Sequence, residues 1–264
     1  MAEIMGLLSL QTISESYTGL HRNPPIAPEA KLTMNIGMLV FPDITATDYV
    51  APADLLARLP GARLQLVWRH TGTIRTELGW EFRATADFDS CGPLDMLVVP
   101  GGPGLGALLD DTEVLAFLAR QGQAARWVVG ICTGPLLLGA AGLLQGYRAT
   151  CHWASHELLG LVGAQPVDQR VVVDRNRVTG AGVTSGLDCA LAVIGLAAGD
   201  TVAQGVQLFA EYDPQPPYDA GAPHKAPPEI VAAMRAKMRP LVEARRTLLA
   251  ARHPPPPRRE GVTP

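Results

Sequence analysis

A cysteine and a threonine flanked by glycines, Gly130-Ile131-Cys132-Thr133-Gly134, stand where an apolar run at 126–129 gives way to a helix-like stretch at 135–144. A strand that turns directly into a helix needs small residues around the turn, because the backbone there is crowded and strained. That geometry lifts the central side chain clear of the sheet. It also aims the first helix N–H groups at whatever the sulfur attacks, and the helix N-terminus is expected to lower the thiol pKa. Cys132 therefore reads as a nucleophile on an elbow. A buried structural cysteine fits the same pentapeptide, since free cysteine is common in cores, and the surrounding chain must decide between them.

A second turn, Pro100-Gly101-Gly102-Pro103-Gly104, ends the apolar run at 95–99 and lets backbone approach a ligand closely. It lacks the Gly-Lys-Ser/Thr of a phosphate loop and the spacing of a dinucleotide turn. Gly101 and Gly102 either supply a backbone donor or simply leave room. Asp48 opens a helix-like stretch at 48–59, where it could serve as a cap or, among apolar neighbours, as a carboxyl with a raised pKa. His152, beside Trp153, invites a thiol–imidazole pairing, but a structural hydrogen bond accounts for it as well. Cys91, Cys151 and Cys189 lack the elbow setting and read as core or surface thiols. The six histidines show no metal-ligand spacing, so no metal site is expected. Asp188, on an apolar stretch at 183–197, would be costly to bury without a partner.

The elements that must position these residues alternate between strand and helix. Strands are expected at 35–40, 64–68, 95–99 and 126–131, helices at 48–59 and 112–125, a hairpin on the sheet edge at 73–85, a strand pair at 171–178 and a last apolar helix at 183–197. This pattern argues for an α/β fold with a mostly parallel sheet between helical layers. Ligands in such folds gather at the carboxyl ends of the strands, which is where Asp48, Gly101-Gly102 and Cys132 all fall.

The chain has 264 residues, a formal charge of -3 with mixed signs, and four cysteines at unrelated spacings. Neither a nucleic-acid stripe nor a polybasic membrane patch is present, no apolar run reaches the length of a membrane span, and a reducing, cytoplasmic setting fits the cysteine usage. Small molecules are the expected partners. One α/β domain is expected at 34–228, preceded by a poorly ordered extension at 1–33 and followed at 229–264 by a helix and a proline/arginine-rich tail.

Taken in order, residues 35–42 (NIGMLVFP), 48–52 (DYVAP), 99–102 (VPGG), 130–134 (GICTG), 143–150 (LLQGYRAT), 150–154 (TCHWA) and 211–218 (EYDPQPPY) resemble the ThiJ/PfpI superfamily, and within it the isocyanide-hydrating branch. The resemblance implies a flavodoxin-like, class I glutamine amidotransferase-like three-layer sandwich, no metal or organic cofactor, and a homodimer. It makes Cys132 the nucleophile, Asp48 the acid/base and Thr133 the supporting residue; from their own chemistry Gly101, Gly102 and His152 are expected as candidate binding or oxyanion support. Many members carry His after the nucleophile and Glu as its acidic neighbour. Thr133 and Asp48 stand there instead, which disfavours peptidase, deglycase and glyoxalase activities.

The chemistry implied is hydration of an isocyanide, R–N≡C, to an N-substituted formamide. Cys132 thiolate would attack the terminal carbon while protonated Asp48 delivers a proton, giving a covalent thioimidate that water then opens. Two other readings remain in play. One is a non-catalytic ligand-sensing amidase-like module, which normally continues into a helix-turn-helix region that the residues after 228 are too few to form. The other is a redox sensor or holdase built on an oxidisable Cys132.

Overall fold

A computed structural model of the chain describes residues 33–252. The segments expected to lack order, 1–33 and 253–264, lie outside the described residues apart from Thr33. The first strand, β1 (Met34–Leu39), leads into helix α1 (Ala46–Leu56), and β2 (Ala62–Trp68) returns parallel to β1. A hairpin of β3 (Gly72–Arg75) and β4 (Glu81–Ala84) and the short β5 (Ala86–Asp87) follow. Then come β6 (Met96–Val99), a 3-10 segment Pro103–Leu108, α2 (Thr112–Ala124), β7 (Trp127–Ile131) and α3 (Gly134–Ala140). The later part comprises β8 (Arg148–Ala149), a long 3-10 segment Trp153–Val162, β9 (Gln165–Pro166), β10 (Val171–Asp174), β11 (Arg177–Gly180), α4 (Ser185–Ala198), α5 (Asp200–Phe209) and α6 (Pro228–Arg252).

Seven strands form one sheet in the order β10-β11-β7-β6-β1-β2-β5, parallel throughout except for β10 against β11. From β1 the chain winds outward to β2 and β5, then returns to place β6 and β7 on the other side of β1. The reversal at the β1/β6 boundary is the switch point at which open α/β sheets take their ligands. The strands there are buried on both faces, as an all-apolar sequence demands. All of β6 is buried, and β7 is buried from Val128 to Ile131. One helical layer packs α1 on α4 and α4 on α5, while the other gathers α2, α3, Trp153–Val162 and α6. The architecture is the flavodoxin-like α/β sandwich.

Local differences from the sequence reading have physical causes. The 73–85 hairpin forms, but as a separate two-stranded sheet; the main sheet ends at β5. Period-two alternation marks strands without saying which sheet they join. The elbow helix stops at Ala140, short of 144, and Gly142 takes a φ of 78° just beyond it. Helix α5 had no counterpart in the sequence reading, although its apolar residues recur with helical spacing; of them only Val206 is buried. Asp188 has the partners its position requires, Arg170 Nε at 2.9 Å and Tyr212 Oη at 3.2 Å.

Candidate active site

Cys132 follows β7 directly in a conformation that side chains seldom adopt, with φ at 58°. Strain of this kind persists only where the surroundings fix it, and it is the backbone signature of an elbow. The crowding is severe on the helix side. A Cβ on Gly134 would lie 1.9 Å from the carbonyl oxygen of Val99, so only glycine lets α3 start this close to β6.

Asp48 lies in the first turn of α1 and is fully buried. It is not the cap of that helix. Thr45 occupies the cap position and sends its hydroxyl to Glu77 at 2.7 Å, while the Asp48 carboxyl reaches across to the switch point. There Oδ2 accepts the Gly101 N–H at 2.9 Å, and Oδ1 is buried without a well-formed partner. The Cys132 thiol is close enough to the carboxyl for each to shift the other's ionisation. Burial pushes the Asp48 pKa up to about 7, and the Glu77 charge adds to this, while Cys132 and the Gly101 N–H hold it down.

Cys132 itself is 6% exposed. The expected lowering of its pKa by the helix N-terminus is overturned: burial, then the Asp48 charge, push the thiol well above its ordinary value. The N–H of Thr133 acts in the expected direction but is outweighed. A seven-residue helix behind one backbone donor cannot offset removal from water beside a carboxylate. The resting site thus holds a thiol.

Thr133 is buried and caps no helix N–H with its side chain. Its Oγ1 instead accepts the Gly102 N–H at 3.3 Å. Both glycines of the turn are donors to site side chains, and Gly101 also leaves room, because a Cβ there would stand 2.6 Å from Thr133 N and 2.9 Å from Asp48 Oδ2. Cys132, Asp48, Thr133, Gly101 and Gly102 are thereby joined at the carboxyl ends of β1, β6 and β7.

His152 is attached to the same centre by backbone: its N–H donates to the Cys132 carbonyl at 2.8 Å. Its ring caps the following 3-10 segment, Nδ1 accepting from Ala154 N at 3.3 Å. Burial, with the Arg245 charge, lowers its pKa to about 4, so the imidazole is neutral. His152 also lines a cavity of about 170 Å³ with Trp153, Ile230, Met234 and Met238, whereas Cys132, Asp48 and Thr133 are not on its wall. Among the described residues no three His, Cys, Asp or Glu side chains could hold a metal ion, and no helix is long and apolar enough to cross a membrane.

Two residues beside the centre escaped the sequence reading. Glu77 arrives from the hairpin loop and gives no local signal. Arg245 arrives on α6, and its signal was readable: Val242, Arg245 and Leu249 share one buried helix face, so a charged residue occupies an apolar stripe.

Fold and site together define a flavodoxin-like protein with a cysteine on its elbow, coupled to a buried carboxyl. The chain belongs to the DJ-1/PfpI family, whose sequence profile matches residues 34–196. It is 44% identical over 214 residues to the isonitrile hydratase of Pseudomonas putida, covering 81% of this chain and 94% of that protein. The crystal structure of a THiJ/PfpI family protein from Pseudomonas syringae superposes with a TM-score of 0.80 at 38% identity, covering 88% of this chain and 98% of that one. A more distant similarity, 29% over 187 residues, is to the HTH-type transcriptional regulator GbdR of Pseudomonas aeruginosa, covering 65% of this chain and 49% of the regulator.

Proposed function

We propose that this protein is a cofactor-independent enzyme that hydrates isocyanides to N-substituted formamides, with Cys132 as nucleophile, Asp48 as acid/base and Thr133 in support. The observation that carries the reading is the pairing of a buried carboxyl, its pKa raised to about 7, with the elbow thiol it acts on. Similarity to the isonitrile hydratase over 94% of its length supports the substrate class.

The resting thiol changes the proton inventory of the first step. Asp48 as carboxylate takes the Cys132 proton while sulfur bonds to the terminal carbon of R–N≡C, then returns that proton to the same carbon. The product is a thioimidate, R–N=CH–S–Cys132. Water adds next: Asp48 removes one water proton as the oxygen bonds to carbon, and that proton passes to nitrogen. In the tetrahedral adduct R–NH–CH(OH)–S–Cys132, the C–S bond breaks and the hydroxyl proton goes through Asp48 to sulfur. R–NH–CHO leaves and the thiol is restored. A carboxyl with a pKa near the working pH suits alternate giving and taking of a proton.

The Thr133 N–H supports negative charge on the Cys132 sulfur. Gly101 and Gly102 hold Asp48 and Thr133 in place, and His152 steadies the Cys132 backbone. The same reading expects a homodimer in a reducing, cytoplasmic setting, with which four free and buried cysteines agree.

The test is conversion of cyclohexyl isocyanide, followed by loss of the N≡C infrared stretch and appearance of the formamide, with wild type and Cys132→Ala compared. Formamide from wild type alone is the expected result. Equal rates in the two proteins, or none in either, would sink the reading.

A further inference from the structure

Helix α6 carries an arginine into the heart of the site. Arg245 is 2% exposed, and its Nη2 donates to the carbonyl of Gly102 at 2.8 Å. Its Nε is buried without a hydrogen-bond partner, and among the described residues it forms no salt bridge. A guanidinium taken out of water needs compensating negative charge. Among the described residues its hydrogen-bond partner is one neutral carbonyl. On the same helix Arg246 and Arg235 face outward, pairing with Glu157 and lying over the Trp153 ring, whereas Arg245 is turned inward with Val242 and Leu249.

The groups that could supply negative charge belong to the site. Arg245 lies within electrostatic reach of Cys132 and Cys151, both of which favour its charged form against the effect of burial. His152 is neutral beside it. Asp48, from α1, opposes ionisation of the thiol, Glu77 acting on Asp48 rather than on the sulfur, and Arg245 is the cation whose own charge the two sulfurs favour. The Gly102 carbonyl belongs to the turn whose N–H groups bind Asp48 and Thr133, so the same side chain also braces that turn.

We propose that Arg245 is a positioning residue for the Cys132 thiol: through the Gly102 carbonyl it fixes the Gly101-Gly102 turn, and its buried charge stabilises negative charge on sulfur as that charge forms. The proposal rests on Cys132 being the reactive thiol. A helix that the sequence set apart from the α/β domain thus completes the electrostatics of the centre.

The test uses the full chain and no isocyanide. Iodoacetamide alkylation of Cys132 is timed by peptide mass spectrometry between pH 6 and 11 for wild type, Arg245→Lys, Arg245→Gln and Arg245→Met, with folding checked by circular dichroism. In the neutral Gln and Met variants the pH profile should move up by about one unit, making alkylation about tenfold slower on the rising limb. Arg245→Lys, which keeps the charge, should stay near wild type. Superimposed profiles for the folded neutral variants, or a Lys profile displaced as far as Gln, would overturn the proposal. Neutral variants that fail to fold while Lys folds would assign Arg245 to the fold alone and overturn it equally. A wild-type Cys132 that resists alkylation at every pH would sink the nucleophile reading and this proposal with it; unchanged variant profiles on an alkylated Cys132 remove only Arg245.

Discussion

The backbone N–H of Gly101 donates to Asp48 Oδ2 at 2.9 Å, joining two residues 53 positions apart across the β1/β6 switch point. This bond decides which way the Asp48 carboxyl faces. Without it, a side chain in the first turn of α1 would serve its own helix. Gly101→Ala places a Cβ 2.6 Å from Thr133 N and Oγ1, a clash that relief must transmit to the elbow. Turnover should fall by about a hundredfold, the scale set by displacements of about 1 Å in an active site. The check is the rate of formamide formation with the far-ultraviolet circular dichroism unchanged.

Asp48→Asn should separate two properties that a general loss of structure would lower together. Hydration should drop by about 10²- to 10⁴-fold, since the amide cannot shuttle the proton. Alkylation of Cys132 should instead extend to lower pH, because the Asp48 charge is among the causes that raise the thiol. Parallel assays of the two rates on one preparation decide the matter. A variant with normal hydration takes Asp48 out of the mechanism.

Stability should carry the same carboxyl's signature. The Asp48 pKa is raised in the fold from 3.8 to about 7, so between these values the native state binds more protons than the unfolded chain. Stability contributed at this site is then complete below about pH 4 and falls as pH rises to about 7, beyond which the loss levels off. Its size is of order a few kcal/mol. Urea unfolding of wild type and Asp48→Asn from pH 4 to 8 isolates it: the variant should gain on wild type across that window. A constant difference would mean the carboxyl titrates normally.

Much of the centre was legible because its determinants are local. Glycines around Cys132 announce a turn that tolerates no side chain, and apolar runs at β1, β6 and β7 announce buried parallel strands; topology then brings their ends together. The proton state was not legible. A helix start argues for a thiolate, whereas burial and the neighbouring carboxyl are properties of the assembled site, and they dominate. Asp48 shows the same limit, for its sequence position suits a cap and its carboxyl goes to Gly101 instead. Arg245 marks the reverse case. Its place on the Val242–Leu249 stripe was visible, but a charged residue on an otherwise apolar face becomes informative only once the face is known to be buried.

His152 provides the last discrimination, because a thiol–imidazole pair is the more familiar arrangement. Its ring nitrogen already accepts from Ala154 N, and with a pKa near 4 it has no proton to give at neutral pH. His152→Asn, which retains a capping acceptor, should hydrate isocyanide at nearly the wild-type rate. His152→Ala should lose about 1 kcal/mol of stability as a missing cap does. In both, the dependence of kcat on pH should keep the ionisation near 7 that belongs to Asp48. If that limb vanished with the imidazole, the proton would have to travel through His152, and the pairing of Asp48 with Cys132 would be structural.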